Sequence, residues 1–177
     1  MYDWIHAQTS DIPIKTIYRI LSEVAAGITY LHSIKEENTN FLSLTSRRIM
    51  VLFYLIRAHI FFFKFDSKMK AKIFDFGLYR TKQLDLSYSS RSLFEDVAWL
   101  APEYLAPKRI EERNNKGDVF AFGVVAWELL TRKTPWEGVS YMDVISKVKL
   151  MERPGDFPRN CPELLKKLVL ECWSDGK

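Results

Sequence analysis

The sequence predicts a mainly α fold with one short β-hairpin region. Three observations carry that expectation. Gly117 to Thr131 reads G-D-V-F-A-F-G-V-V-A-W-E-L-L-T and is apolar on every side of a helix. Asp11 to Leu31 places Ile14, Ile17, Ile20, Leu21, Val24, Ile28 and Leu31 at three- and four-residue steps. Two shorter periodic segments follow Ser140 and Pro162.

The 117–131 run is shorter than the ~20 apolar residues that a bilayer crossing needs, and Asp118 and Glu128 interrupt it. It therefore reads as a buried central helix with other helices packed around it. Asn114, Asn115 and Gly117 stand before it as turn and cap residues, and Pro135 follows its end. A buried Asp118 requires partners, since an unpaired carboxylate is costly away from water. Its place in the first helical turn also suits the helix dipole.

Pro13 falls where a first helical turn tolerates it, so the first helix is expected over Asp11–Leu31. The polar stretch from Ser33 to Asn40 reads as a loop. Val51 to Phe65, V-L-F-Y-L-I-R-A-H-I-F-F-F-K-F, is β-prone and nearly uncharged, and strands are expected there. Lys70 to Phe74 is a short strand leading into Asp75-Phe76-Gly77. Thr81 to Phe94 is polar and rich in Ser and Tyr. It is either a plain solvated loop or a phosphorylated one, with Ser87, Tyr88, Ser89, Ser90 and Ser92 as the candidate sites. Trp99 to Leu105 starts a short helix. Ser140-Tyr141-Met142-Asp143 forms a capping box for a helix with Val144, Ile145 and Val148 inward. Pro162 opens the last helix, with Leu164, Leu165, Leu168 and Cys172 on one side.

The 177 residues fit one domain, 1–177, and 47% hydrophobic content supplies a real core. The net charge of +4 permits acidic partners, but no long basic block points to nucleic acid. Lys68 to Lys72, the densest basic cluster, reads as a solvated strand edge or turn. Cys161 and Cys172 match no metal or disulfide spacing and read as small core residues of a reducing, cytoplasmic setting. The start of the chain shows no signal-peptide pattern.

The motifs, taken in order, resemble those of a protein kinase. D-W-I-H resembles the helix after the kinase hinge, and V-A-A-G-I-T-Y-L-H-S the helix before the catalytic loop. D-F-G at 75–77 and W-L-A-P-E at 99–103 follow in the family's order. K-G-D-V-F-A-F-G-V-V-A-W-E-L-L-T-R-K-T-P-W-E-G is similar to the family's central helix and its exit. R-P-G-D-F-P-R-N-C-P-E-L-L-K-K-L-V-L-E-C-W is in the style of the tyrosine-kinase-like group. The resemblance implies the helical C-terminal lobe of that fold, without the N-lobe. It implies ATP and Mg²⁺ as cofactors, and hydroxyl side chains of a protein as substrate. Asp75 would be the Mg²⁺ ligand, and Phe76 and Gly77 would line the nucleotide site. Glu103 and Asp118 would be structural carboxylates, the latter accepting backbone hydrogen bonds from the catalytic loop.

Departures from the pattern set expectations of their own. Aligned on L-T-S-R-x-I, Phe41-Leu42-Ser43 lies over H-R-D and Arg48 over the metal-binding Asn. A hydroxyl at Ser43 does not do the work of a carboxylate, and a guanidinium at Arg48 repels Mg²⁺. Arg48 to Asp75 is 75 − 48 = 27 residues, against about half that in the family pattern. The excess, about 51–64, is either an elongated hairpin or translated intron. No Gly-rich loop, strand Lys or partner Glu stands in the chain, and the late Arg that would pair with Glu103 is not met before Lys177. Glu95-Asp96 replace the usual Gly-Thr, which leaves Ser/Thr against Tyr preference open. Three readings follow: an impaired kinase domain, a pseudokinase-like module that binds a protein partner, or a truncated gene product.

Overall fold

The first helix of the chain is longer than its apolar stripe. In the computed structural model, which describes residues 5–6, 11–37, 63–66, 70–73, 97–105 and 116–174, α1 runs Ile14–Glu37. Residues 11–13 precede the helix without regular structure, and the carbonyl of Pro13 accepts from the amides of Thr16 and Ile17. The expected start at Asp11 therefore moves to Ile14. The expected loop from Ser33 is corrected as far as Glu37. Lys35, Glu36 and Glu37 are good helix formers, so the helix continues past its apolar stripe.

Ile17, Ile20, Leu21 and Val24 of α1 are buried in one core with Phe120, Val124, Val125 and Trp127. These last belong to α2, Lys116–Thr131, the expected central helix. Twelve of its residues are buried, Asp118 and Glu128 among them. Val119 is the apolar residue that faces outward, 43% exposed. Asn114 and Asn115 lie outside the described residues.

Two strands pack beside α1. β1 (Phe63–Phe65) and β2 (Ala71–Ile73) pair antiparallel, with Phe65 opposite Ala71. The described end of the Val51–Phe65 run is thus a strand, as expected, and residues 51–62 lie outside the description. Asp66 closes this pair at its turn end: its carboxylate accepts from the Lys70 amide and pairs with the Lys72 ammonium at 3.0 Å. The lysine cluster is solvated where it is described.

In place of one short helix after Trp99, two single 3₁₀ turns form, Val97–Trp99 and Pro102–Tyr104. Proline at the first position of the second turn blocks continuation of the first, since its nitrogen has no hydrogen to donate.

α3 (Tyr141–Lys149) starts as its sequence asks. The Ser140 hydroxyl accepts from the Asp143 amide and donates to the Asp143 carboxylate at 2.6 Å. Val144 and Val148 are buried and Ile145 is half-buried.

α4 (Glu163–Cys172) corrects the expected buried side. Leu165 and Val169 face α2, with Cys172 half-buried beside them, while Leu164 is 78% exposed and Leu168 is on the outer side. The helix has two adjacent apolar stripes, and α2 covers only the one at 165, 169 and 172. Both cysteines are free and half-buried, and Cys172 packs against the core as expected of a small core residue. Burial lifts the Cys172 thiol to about 11.

The close fit of α2 and α4 depends on Gly123. A Cβ there would lie 2.8 Å from the Cys172 Cβ and 2.8 Å from the Trp173 indole nitrogen. From the segment between α3 and α4, Arg153 reaches forward, its guanidinium donating to the Trp173 carbonyl and lying over the Phe120 and Trp173 rings. It thereby caps the carboxyl end of α4, where cations are favoured.

Candidate functional site

Among the described residues, the buried polar side chains are the two acids of α2. Asp118 sits in its first turn and is 2% exposed. Its Oδ2 lies 2.8 Å from Nε2 of His32, on α1 and 86 residues away in the chain. The other oxygen, Oδ1, is buried and has no hydrogen-bond partner among the described residues. Histidine was not the partner the sequence suggested. Backbone donors of the catalytic loop were expected, and that loop lies outside the described residues.

Glu128, near the other end of α2, is also buried. Its Oε1 lies 2.9 Å from Nε2 of His6. The Trp99 side chain bonds the same carboxylate. Burial pushes the Glu128 carboxyl above its ordinary value of 4.5, opposed by the His6 hydrogen bond and charge and by the Trp99 bond. One carboxylate thus joins helical residue His6, the first 3₁₀ turn and α2. Its near neighbour in sequence, Trp127, donates its indole N–H to the Gly155 carbonyl at 3.1 Å.

Of the residues singled out in the sequence, the structure describes Asp118 and Glu103. Glu103, in the second 3₁₀ turn, is half-buried, and no ion pair reaches it among the described residues. Ser43, Arg48, Asp75, Phe76 and Gly77 lie outside the described residues, as do Ser87, Tyr88, Ser89, Ser90 and Ser92. The described structure comes nearest to them at β2, which ends at Ile73, two residues before Asp75. Among the described residues, no group of three or more His, Cys, Asp or Glu side chains could hold a metal.

Sequence reasoning missed His6, His32, Glu128 and Glu23 as partners. The available signal was weak: two acids inside an apolar run demand partners, and the chain has just three histidines.

A helix apolar all round, an acid in its first turn and a W-L-A-P-E turn tied to its far end point to one family. The profile of the protein tyrosine and serine/threonine kinase family matches residues 1–177. The chain belongs to this family. Among curated proteins it is similar to the probable serine/threonine-protein kinase pats1 of Dictyostelium discoideum, 31% identical over 98% of the chain. It is likewise similar to the probable serine/threonine-protein kinase SIS8 of Arabidopsis thaliana, 30% identical over 100% of the chain. The dual specificity protein kinase shkC of Dictyostelium discoideum is 30% identical over 96%. The chain spans 5%, 15% and 30% of the length of these three relatives, respectively. Kinases of this family use ATP and Mg²⁺ and act on protein substrates. Among the described residues no helix is long and apolar enough to cross a membrane.

Proposed function

We propose that this chain is a kinase domain of the tyrosine-kinase-like group whose helical scaffold is kept and whose phosphoryl transfer is impaired. The observation that carries the reading is a contrast. Asp118, the scaffold acid, is present, buried and held by His32. Ser43 stands where the carboxylate that handles the substrate proton belongs, and Arg48 where a neutral metal ligand belongs. Asp75 remains as a hard oxygen ligand suited to Mg²⁺. With one anionic ligand and one cationic side chain, the donor set fits a single Mg²⁺ and not the pair that protein kinases use. Phe76 and Gly77 would line the same nucleotide site. Removing a base and a metal ligand together strips most of the charge stabilisation that phosphoryl transfer depends on. The residues about 51–64 are an insertion in this reading, whether elongated hairpin or unspliced intron, and a spliced message lacking them would decide for the intron.

The test has two arms. Mg²⁺-ATP is expected to raise the melting temperature, in a metal-dependent way, while label from ATP is not transferred to a generic protein substrate. Ready transfer by the wild-type chain overturns the impairment. Transfer gained by Ser43→Asp with Arg48→Asn would show that these two positions account for the loss.

A second reading, a protein-binding pseudokinase-like module, draws support from apolar side chains open to solvent. Met142 and Leu150, at the two ends of α3, are 67% and 74% exposed. The Ser/Tyr cluster at 87–92 would be its regulatory segment if phosphorylated.

A further inference from the structure

β2 is the last described strand before D-F-G, and its outer edge has no strand partner among the described residues. The register leaves one amide to account for. Lys70 and Asp66 exchange a main-chain bond, Asp66 N–H to the Lys70 carbonyl at 3.0 Å. Bonded pairs alternate with non-bonded pairs along an antiparallel ladder. Ala71, opposite Phe65, therefore turns its amide away from β1. Ala71 is buried, so that amide cannot rely on water, and a buried N–H without an acceptor is costly.

The acceptor comes from α1. Oε2 of Glu23 takes the Ala71 amide at 2.6 Å across 48 residues of chain. Its other oxygen accepts from the Arg19 guanidinium at 3.3 Å, one helical turn earlier. Glu23 is half-buried, which strengthens a charge-assisted bond relative to water. A carboxylate on the helix thus completes the free edge of the strand, and Arg19 orients it.

We propose that Glu23 is a positioning residue for the D-F-G segment: it fixes β2 on α1, so that the chain leaves toward Asp75 from a strand of set position. This inference rests on the reading above that Asp75 is the remaining Mg²⁺ ligand.

The experiment compares the full chain with Glu23→Ala and Glu23→Gln. Hydrogen exchange of the 70–73 segment and of α2 is followed in each. In Glu23→Ala the Ala71 amide is expected to exchange about tenfold faster, the size of losing one charge-assisted bond, with α2 unchanged. Glu23→Gln, whose amide oxygen accepts the same bond, restores most of the protection. Unchanged exchange at Ala71, or equal acceleration throughout α2, overturns the inference. The second readout is the Mg²⁺-dependent thermal shift with ATP. Glu23→Ala is expected to need several times more Mg²⁺-ATP for the same shift, and Glu23→Gln close to the wild-type amount. An unaltered requirement in Glu23→Ala, with Ala71 deprotected, overturns the positioning role. A wild-type chain with no metal-dependent shift overturns the single-ion reading itself.

Discussion

Each end of the central helix buries an acid against a histidine, yet the two ends differ. At the carboxyl-terminal end, Glu128 has both a histidine and an indole on its carboxylate. That end is closed, and it ties the first 3₁₀ turn to the helix. At the amino-terminal end, Asp118 has one oxygen on His32 and one with no acceptor–donor bond among the described residues. That end is satisfied on the side of α1 and open on the other. The difference teaches that one acid completes the scaffold, while the other still offers an oxygen to a further donor.

Glu128→Ala should give the largest effect. It leaves His6 and the Trp99 indole facing a cavity, and each group left without its partner costs about 1–3 kcal/mol, so the two together cost about 3 kcal/mol. Urea melts would show it, and a loss under about 1 kcal/mol would mean the closed end contributes little. Asp118→Ala should cost less, about 2 kcal/mol within the usual range for a buried group left unpaired. If it costs more than Glu128→Ala, Oδ1 has donors of its own and the two ends are alike.

Ser140→Ala is a control away from both ends. Losing its helix cap should cost about 1 kcal/mol and leave the other two substitutions additive with it. The smallest effect is a pH slope. Burial lifts Glu128 above 4.5, so the folded state holds that proton more tightly than the unfolded state. The stability gained is present below 4.5 and is lost as pH rises through the raised folded value. Urea midpoints taken from about pH 4 to about 7 should fall less steeply in Glu128→Gln than in wild type. Identical slopes would place the titration on another group.

The helices were legible because burial writes periodicity. α2 lay within one residue of its expected start, since an apolar run with no polar stripe that is too short to cross a bilayer reads as a buried helix. Ser140 and Asp143 announced α3 through local bonds, which sequence spacing contains. The last turns of α1 were not legible, because Lys and Glu serve a loop or an exposed helix equally. The buried side of α4 was misjudged for a related reason. Leu164 and Leu165 are equally apolar, and only the position of α2 chooses between them.

The acids of the site were visible; their partners were not. Asp118 in a first turn implies a need for a donor, but His32 is 86 residues away and His6 lies 122 residues from Glu128. Glu23 stands in no motif, and its acceptance from a strand amide could not be anticipated from spacing. By itself the sequence determined the helical elements and the motif order of a protein kinase, and it supplied the proposal that Ser43 and Arg48 depart from that chemistry. Tertiary structure alone decided which histidine meets which acid and which edge amide meets Glu23. Helical periodicity and capping are set by neighbours along the chain, whereas these bonds exist only once distant elements have packed.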